Sequence, residues 1–318
     1  MKKYAGAKSP YFYPGEPLVE GNMRVTVLGS GTPLPRRGQA SPCILVEAGE
    51  DLMLLDVGPG GPANLTSLEI PLIDADKVFI THHHVDHIGA LDQLWIAGWT
   101  YGRATPLRVW GPSGTKKIAE HFEEIYKWDV TTRSKVLPPE GARIDATDYD
   151  EGLIYDENGI TIKAFKVVHT EPQNSYGFRV EYGGRSLVFG GDTKKCASLI
   201  ENAQNADVII HESYPPIGKY MEWSGRPLEI AKFVAETVHT APREAGLVFA
   251  ETKPRLGVIY HLYDNDDVII PTIDQIRETY SGRIEIAHDL MVIDIGDDII
   301  VRPAVVGDKP WPAHSRKN

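Results

Sequence analysis

Residues 81–87 read Thr-His-His-His-Val-Asp-His and close the apolar run Lys77-Val-Phe-Ile-Thr81. His82, His84, Asp86 and His87 are all ligand-type side chains, a local density that folding alone does not demand. Neutral imidazole nitrogen and carboxylate oxygen are the donors that a Zn²⁺-like ion accepts. Alternation along an extended segment puts His82 and His84 on one side and turns His83 away. A turn at Val85-Asp86 then carries Asp86 and His87 toward a second position. One loop can therefore begin two metal sites, and the chemistry this implies is metal-assisted hydrolysis.

The elements that must position this loop are mostly strands. The pattern predicts strands at Met23–Leu28, at Cys43–Glu47 and Asp51–Asp56 as a hairpin, and at 77–81, 107–110, 160–168, 176–182, 186–190, 207–211, 256–260 and 290–301. Helices are expected from residue 62, and at 89–100, 114–127, 194–204, 226–237, 240–251 and 272–280. Strands with interspersed helices in both halves fit two mixed sheets packed face to face with helices outside. We read residues 1–21 as an extended arm, 22–306 as one hydrolase domain and 307–318 as a peripheral tail.

Further donors end apolar runs. His169 closes Ile162–Val168, Asp192 follows the glycines of Leu187-Val-Phe-Gly-Gly-Asp, and His261 closes Leu256-Gly-Val-Ile-Tyr-His. Strand ends present side chains rigidly at a sheet edge. The expected assignment gives His82, His84 and His169 to one metal and Asp86, His87 and His261 to the other. Asp192 bridges them, since a carboxylate has two oxygens to share. Two Zn²⁺ ions are expected, with Mn²⁺ or Fe²⁺ also suited to such ligands. Asp56 is a candidate to orient a ligand histidine. Glu212, in Asp207-Val-Ile-Ile-His-Glu, and His239, at the start of a helix, form a candidate proton-handling pair. A carboxylate beside an imidazole raises its pKa and makes it a general acid. The candidate catalytic groups are thus Asp86, itself a ligand, with Glu212 and His239. His83, His121, His288 and His314 are read as structural or surface residues.

Bulk properties narrow the partners. A net charge of −11 argues against indiscriminate polyanion binding. Cys43 and Cys196 show no metal-type spacing and suit a reduced compartment. The N-terminus has basic residues without an apolar core segment, and no stretch suits a membrane span, so a cytoplasmic protein is expected.

The loop His82-x-His84-x-Asp86-His87 resembles that of the metallo-β-lactamase superfamily. Pro106-Leu-Arg-Val-Trp-Gly-Pro-Ser-Gly114, Ser175-Tyr-Gly-Phe-Arg-Val180, Gly191-Asp-Thr-Lys-Lys-Cys196, Ala206–Glu212 and His239-Thr-Ala are similar to its ribonuclease Z branch of tRNA 3′-processing endonucleases. The resemblance spans roughly residues 23–290. It implies an α/β fold, an αββα four-layer sandwich with zinc at one edge, and a proton relay at Glu212 and His239. Ala97–Arg103 and Tyr260–Asp267 also resemble a small β-lactam-hydrolysing group related to that branch.

Three departures qualify it. Only 23 positions separate His169 from Asp192, which leaves no room for the branch's basic tRNA-gripping arm. Gly58-Pro-Gly-Gly-Pro62 and Tyr260-His-Leu-Tyr263 replace the branch's usual segments. The leading expectation is a dinuclear zinc hydrolase with ribonuclease Z-like phosphodiesterase chemistry, acting on small molecules or short single-stranded nucleic acid. Two alternatives stand beside it: a hydrolase of cyclic amides or esters (β-lactamase or lactonase) walled by Trp95, Trp99 and Tyr263, and a metal-bound binding protein without turnover. Arg36, Arg37, Arg103, Lys194 and Lys195 are candidate substrate contacts, and a homo-oligomer (dimer or tetramer) is a possible assembly.

Overall fold

In the computed structural model, which describes residues 9–307, the apolar runs become strands buried on both faces. The first sheet holds β1 (Met23–Gly29), β2 (Cys43–Ala48), β3 (Asp51–Leu55), β4 (Lys77–Phe79), β5 (Leu107–Pro112) and β6 (Ile144–Tyr149). The second holds β7 (Gly152–Glu157), β8 (Ile160–Lys166), β9 (Tyr176–Tyr182), β10 (Arg185–Phe189), β11 (Val208–Glu212), β12 (Leu256–Tyr260) and β13 (Ile284–Ile286). The chain then returns to the first sheet as β14 (Met291–Ile295) and β15 (Ile299–Pro303). Their orders are β15-β14-β1-β2-β3-β4-β5-β6 and β13-β12-β11-β10-β9-β8-β7.

Period-two alternation divides each strand between two cores. Val25, Val46, Met53 and Phe79 meet Phe178, Val180, Phe189 and Val258 between the sheets. The opposite faces, with Leu45, Leu54, Val78 and Val109, pack under α1 (Gly61–Ser67), α3 (Leu91–Thr100) and α4 (Thr115–Ile125). Val188, Ile209 and Ile259 of the second sheet pack under α6 (Ala197–Asn202), α9 (Pro242–Thr252) and α10 (Asp266–Arg277). This is the expected αββα four-layer sandwich. The remaining helices are α2 (Val85–Ile88), α5 (Lys127–Arg133), α7 (Ile217–Ser224) and α8 (Leu228–Phe233).

Several local expectations change. The run 290–301 is a hairpin, split at Gly296-Asp297-Asp298. The turn at Val85-Asp86 is the short helix α2. The helix expected at 272–280 starts at Asp266, where Asn265 Oδ1 accepts the Asp267 N–H and caps it despite Pro271 inside. The helix expected over 226–237 is α8 followed by a π-helix, Val234–Val238. Strands β6, β7 and β13 and helices α5 and α7 are additional. Their charged, half-exposed alternation, as in Ile144-Asp-Ala-Thr-Asp-Tyr149, carries little apolar signal.

Of the N-terminal arm, residues 9–21 are described, and residues 1–8 and the tail from 308 lie outside the described residues. Phe12 is 3% exposed and pairs with Ala304 beyond β15. Its ring lies under the guanidinium groups of Arg24 and Arg302, at 4.6 and 5.6 Å. Asp294 holds both cations: Arg24 Nε donates to Oδ1 at 2.8 Å and Arg302 Nη2 to Oδ2 at 2.7 Å. All three side chains are buried. Asp294→Ala removes the shared counter-ion, leaving Arg302 to Glu16 and Arg24 to the 3.9 Å contact with Glu47, and should lower unfolding free energy by about 3 kcal/mol. Urea denaturation measures this, and a loss below about 1 kcal/mol would show that the network does not anchor the arm.

Candidate metal centre and active site

The geometry of the two sheets gathers strand ends at one edge. β3, β4, β5 and β6 run parallel, as do β10, β11, β12 and β13, so their carboxyl ends share a rim in each sheet. Asp56 follows β3, the 82–87 loop follows β4, Asp192 follows β10, Glu212 ends β11 and His261 follows β12. His169 follows β8, which lies two strands from β10 and points the same way. Clefts at the carboxyl ends of parallel strands are where α/β folds place ligands.

Hydrogen bonds set the tautomers of the buried imidazoles. Thr81 Oγ1 donates to Asp56 Oδ2 at 2.8 Å, and Thr81 N–H to Asp56 Oδ1 at 2.7 Å. With its proton committed, the Thr81 hydroxyl accepts from His82 Nδ1 at 3.0 Å. His87 Nδ1 donates to Asp56 Oδ2 at 2.7 Å, and His169 Nδ1 to Val238 O at 2.9 Å. In its neutral form each ring therefore turns the lone pair of Nε2 toward the cleft. Asp56 is fully buried and holds the base of the loop, the orienting place expected for it.

The inward atoms form two clusters. His82 Nε2 and His169 Nε2 lie 3.0 and 3.1 Å from His84 Nδ1. One N–H on His84 can serve only one of these neighbours, so at least one contact sets lone pair against lone pair. In the second cluster His261 Nε2 lies 3.2 Å from Asp86 Oδ2, and His87 Nε2 lies 3.5 Å from the same oxygen. Asp192 Oδ2 reaches both groups: 3.4 Å from His87 Nε2, 3.4 Å from His261 Nε2 and 3.9 Å from His169 Nε2. His87 Nε2 is buried and makes no hydrogen bond. Crowded nitrogen lone pairs, a buried nitrogen without a bond and two carboxylates are a donor set that fits bound cations.

Charge supports the same fit. Burial, with neighbouring imidazoles, holds His82 and His84 below the usual histidine range and His169 down to about 4, so these rings stay neutral as ligands must. At Asp192 burial favours the neutral acid, but His261 and His87 outweigh it and hold the carboxyl well below its usual range. At His87 the carboxylates of Asp192 and Asp56 overcome burial and push the ring well up. The carboxylates thus draw positive charge to this point.

Glu212 and His239 form a pair on the rim. His239 Nδ1 lies 2.8 Å from Glu212 Oε2 and 3.0 Å from Oε1, and Thr193 N–H donates to Oε1 at 2.6 Å. Burial opposes charge on both. It raises the Glu212 carboxyl, whereas at His239 the Glu212 charge prevails and lifts the imidazole to about 9. These directions pull the pair's proton opposite ways. The ionised pair is the form that both the 2.8 Å contact and the Thr193 N–H stabilise. His239 packs at 5.0 Å against His169 and at 5.6 Å against His261, which places the pair beside both clusters.

Other expected residues lie elsewhere. Trp95 and Trp99 are fully buried under the first sheet, because i, i+4 spacing on α3 puts both on its core side, so they wall no pocket. Arg103 is 2% exposed and donates to the carbonyls of Trp95, Thr105 and Gly141, a structural role in place of substrate contact. Lys195 pairs with Glu251. Arg37 is exposed, Lys194 bridges to Val168 through its backbone, and Arg36 lies over the Tyr263 ring at 5.8 Å. His83 bonds Thr115 Oγ1 and His288 pairs with Asp264; His121 is exposed, and His314 lies outside the described residues. Sequence reasoning missed Asp289, whose carboxylate accepts from Ser30 N, Ala40 N and Asn64 Nδ2 and so fixes the 30–40 loop. It also missed Tyr214, stacked on His239 at 5.3 Å and 12°. The local sequence signals neither.

Asp56→Asn keeps the shape but weakens the hold on His87 Nδ1 and Thr81. Metal affinity, measured by chelator competition, should fall about 10–100-fold. Unchanged affinity would show that Asp56 does not orient the loop.

The residues that build this site fall within a recognised sequence family. A family model described as beta-lactamase superfamily domain matches residues 44–262. Ribonuclease Z of Mycobacterium bovis (strain BCG / Pasteur 1173P2) is 30% identical over 290 residues, covering 86% of this chain and 98% of the relative. That of Mycobacterium marinum is 28% identical over 286 residues, covering 86% and 99%. Among solved structures, the human tRNase Z short form aligns over 86% of this chain and 98% of its own, with TM-score 0.63 and 21% identity. The metallo-beta-lactamase fold protein YhfI of Bacillus subtilis aligns over 85% and 98%, with TM-score 0.64 and 22% identity. The chain belongs to the metallo-β-lactamase superfamily, in its ribonuclease Z-like branch of metal-dependent hydrolases.

Proposed function

We propose that the chain is a dinuclear, zinc-dependent phosphodiesterase with ribonuclease Z-like chemistry, acting on small or single-stranded substrates. The observation that carries this reading is Asp192, one buried carboxylate whose Oδ2 lies within 3.9 Å of His87, His169 and His261 nitrogens from both clusters. His82, His84 and His169 would hold one ion, Asp86, His87 and His261 the other, with Asp192 shared between them. Such ions, when bound, polarise the phosphoryl group and lower the pKa of attacking water. Mn²⁺ or Fe²⁺ also suit these ligands.

The chain's own groups handle the leaving oxygen. Glu212 fixes His239 through Nδ1, which leaves the protonated Nε2 free to deliver a proton to the departing alkoxide. Tyr214 on one face and the His261 ring on the other keep the imidazole in that orientation. A departing alkoxide that needs a proton is what phosphodiester cleavage produces. Of the aromatic walls expected for the lactam alternative, Trp95 and Trp99 are in the core and only Tyr263 lines a groove.

The substrate limit follows from the connection between His169 and Asp192. β9 and β10 are joined by the tight Gly183-Gly184 turn, so this interval carries no projecting arm. The positive φ angles of both glycines, 56° and 75°, suit that turn.

The test compares bis-p-nitrophenyl phosphate, a chromogenic cephalosporin and a lactone on metal-loaded protein. The phosphodiester should turn over fastest, and faster turnover of either other substrate would overturn the reading. His239→Ala should slow unactivated diesters at least about tenfold more than p-nitrophenyl esters, because only the former need leaving-group protonation. Equal slowing would remove His239 as general acid.

A further inference from the structure

The α7–α8 segment between Glu212 and His239 forms one wall of a surface groove of about 630 Å³. Tyr220, Trp223 and Arg226 line it from this segment, with Arg36 and Tyr263 opposite. Trp223 meets Tyr263 edge to face, with centroids 5.2 Å apart at 82°, and is 39% exposed. The Arg36 guanidinium lies over the Tyr263 ring at 5.8 Å.

Two features tie the groove to the site. Tyr263 is two residues beyond His261, and Gln39 clamps the segment by donating to Leu262 O while accepting from Arg36 Nη1 and Asp264 N–H. On the other side Tyr220 packs on Tyr214 at 4.8 Å, and Tyr214 stacks on His239. An aromatic path thus runs from the groove to the proton-handling pair. Charge marks the groove as well. Some exposed arginines elsewhere, such as Arg133, Arg143 and Arg243, carry acidic partners. Among the described residues, Arg36 and Arg226 have none within ion-pair distance, in a chain of net charge −11. Two guanidiniums without acidic partners beside an exposed indole match a planar ring joined to an anion.

We propose that this groove is a nucleobase subsite: a base stacks on the exposed Trp223 with its edge toward Tyr263, whose ring stands nearly perpendicular, while Arg36 and Arg226 take its phosphate. The substrate class is then a nucleoside phosphodiester or single-stranded oligonucleotide, with the base beside the scissile bond held in the groove. This placement of the scissile bond rests on the phosphodiesterase reading above. The groove's affinity for a base does not.

The experiment titrates metal-loaded, full-length protein with adenosine 5′-monophosphate and with ribose 5-phosphate by calorimetry. The two ligands share the phosphate and differ in the base. Wild type should bind the nucleotide about tenfold more tightly, the scale of one base–aromatic stack. Trp223→Ala should bring the two affinities together, and Arg226→Ala should weaken the nucleotide severalfold. Thermal melting and metal content check that both variants, altered at exposed side chains, are folded. Equal affinities in wild type, or a nucleotide preference that survives Trp223→Ala, would overturn the proposal. A Trp223-dependent affinity for benzylpenicillin with none for the base would overturn it too. Turnover of methyl p-nitrophenyl phosphate, which has no base, reads the hydrolytic chemistry separately, so failure there leaves the binding result intact.

Discussion

Lone pairs facing lone pairs govern this structure. The Nε2 atoms of His82 and His169 and Nδ1 of His84 sit about one hydrogen-bond length apart, yet their other ring contacts leave too few protons to share. Asp86 and Asp192 add negative charge beside them, nearly closed to solvent. Such a cluster is repulsive without positive charge at its centre. In the bare chain the pull appears at His87, driven toward its protonated form by the carboxylates. A bound cation would replace that proton and satisfy the facing lone pairs.

The four layers exist, functionally, to hold this arrangement at one rim. The inter-sheet core fixes the relative position of β4 and β10, hence of the 82–87 loop and Asp192. Two of the junctions at this rim carry backbone strain: Asp56 and His261, where strands end, both adopt left-handed conformations, with φ of 59° and 58°. Each has compensating bonds. Asp56 N–H donates to Phe79 O and His261 N–H to Ser30 O, both at 2.9 Å. The π-helix before His239 serves two site residues at once. Its last carbonyl, Val238 O, sets the His169 tautomer, and the next residue is the histidine paired with Glu212.

Much of this is legible from residue order because strands buried on both faces are nearly continuous apolar runs, and polar residues that end such runs stand out. β9 and β12 start and stop where the pattern places them, and the donors at 169, 192 and 261 meet the 82–87 loop at a common edge. Legibility fails where only one face is buried. β6 and β7 alternate with charged residues, and β14 and β15 read as one strand because only a short turn divides them. Residue type also misleads: Trp95, Trp99 and Arg103 suggest a binding pocket by chemistry, yet all three are buried on and just beyond α3. The Trp223–Tyr263 groove joins segments far apart in the chain, and no local pattern announces it.

Asp192 reaches both clusters, which makes them candidate halves of one metal centre. Counting metal per chain by inductively coupled plasma mass spectrometry after equilibrium dialysis tests it most directly. Two ions are expected in the wild-type protein, with a fall toward one in His261→Ala while the His82–His84–His169 cluster stays filled. A single ion in wild type, or two retained by the variant, would contradict it.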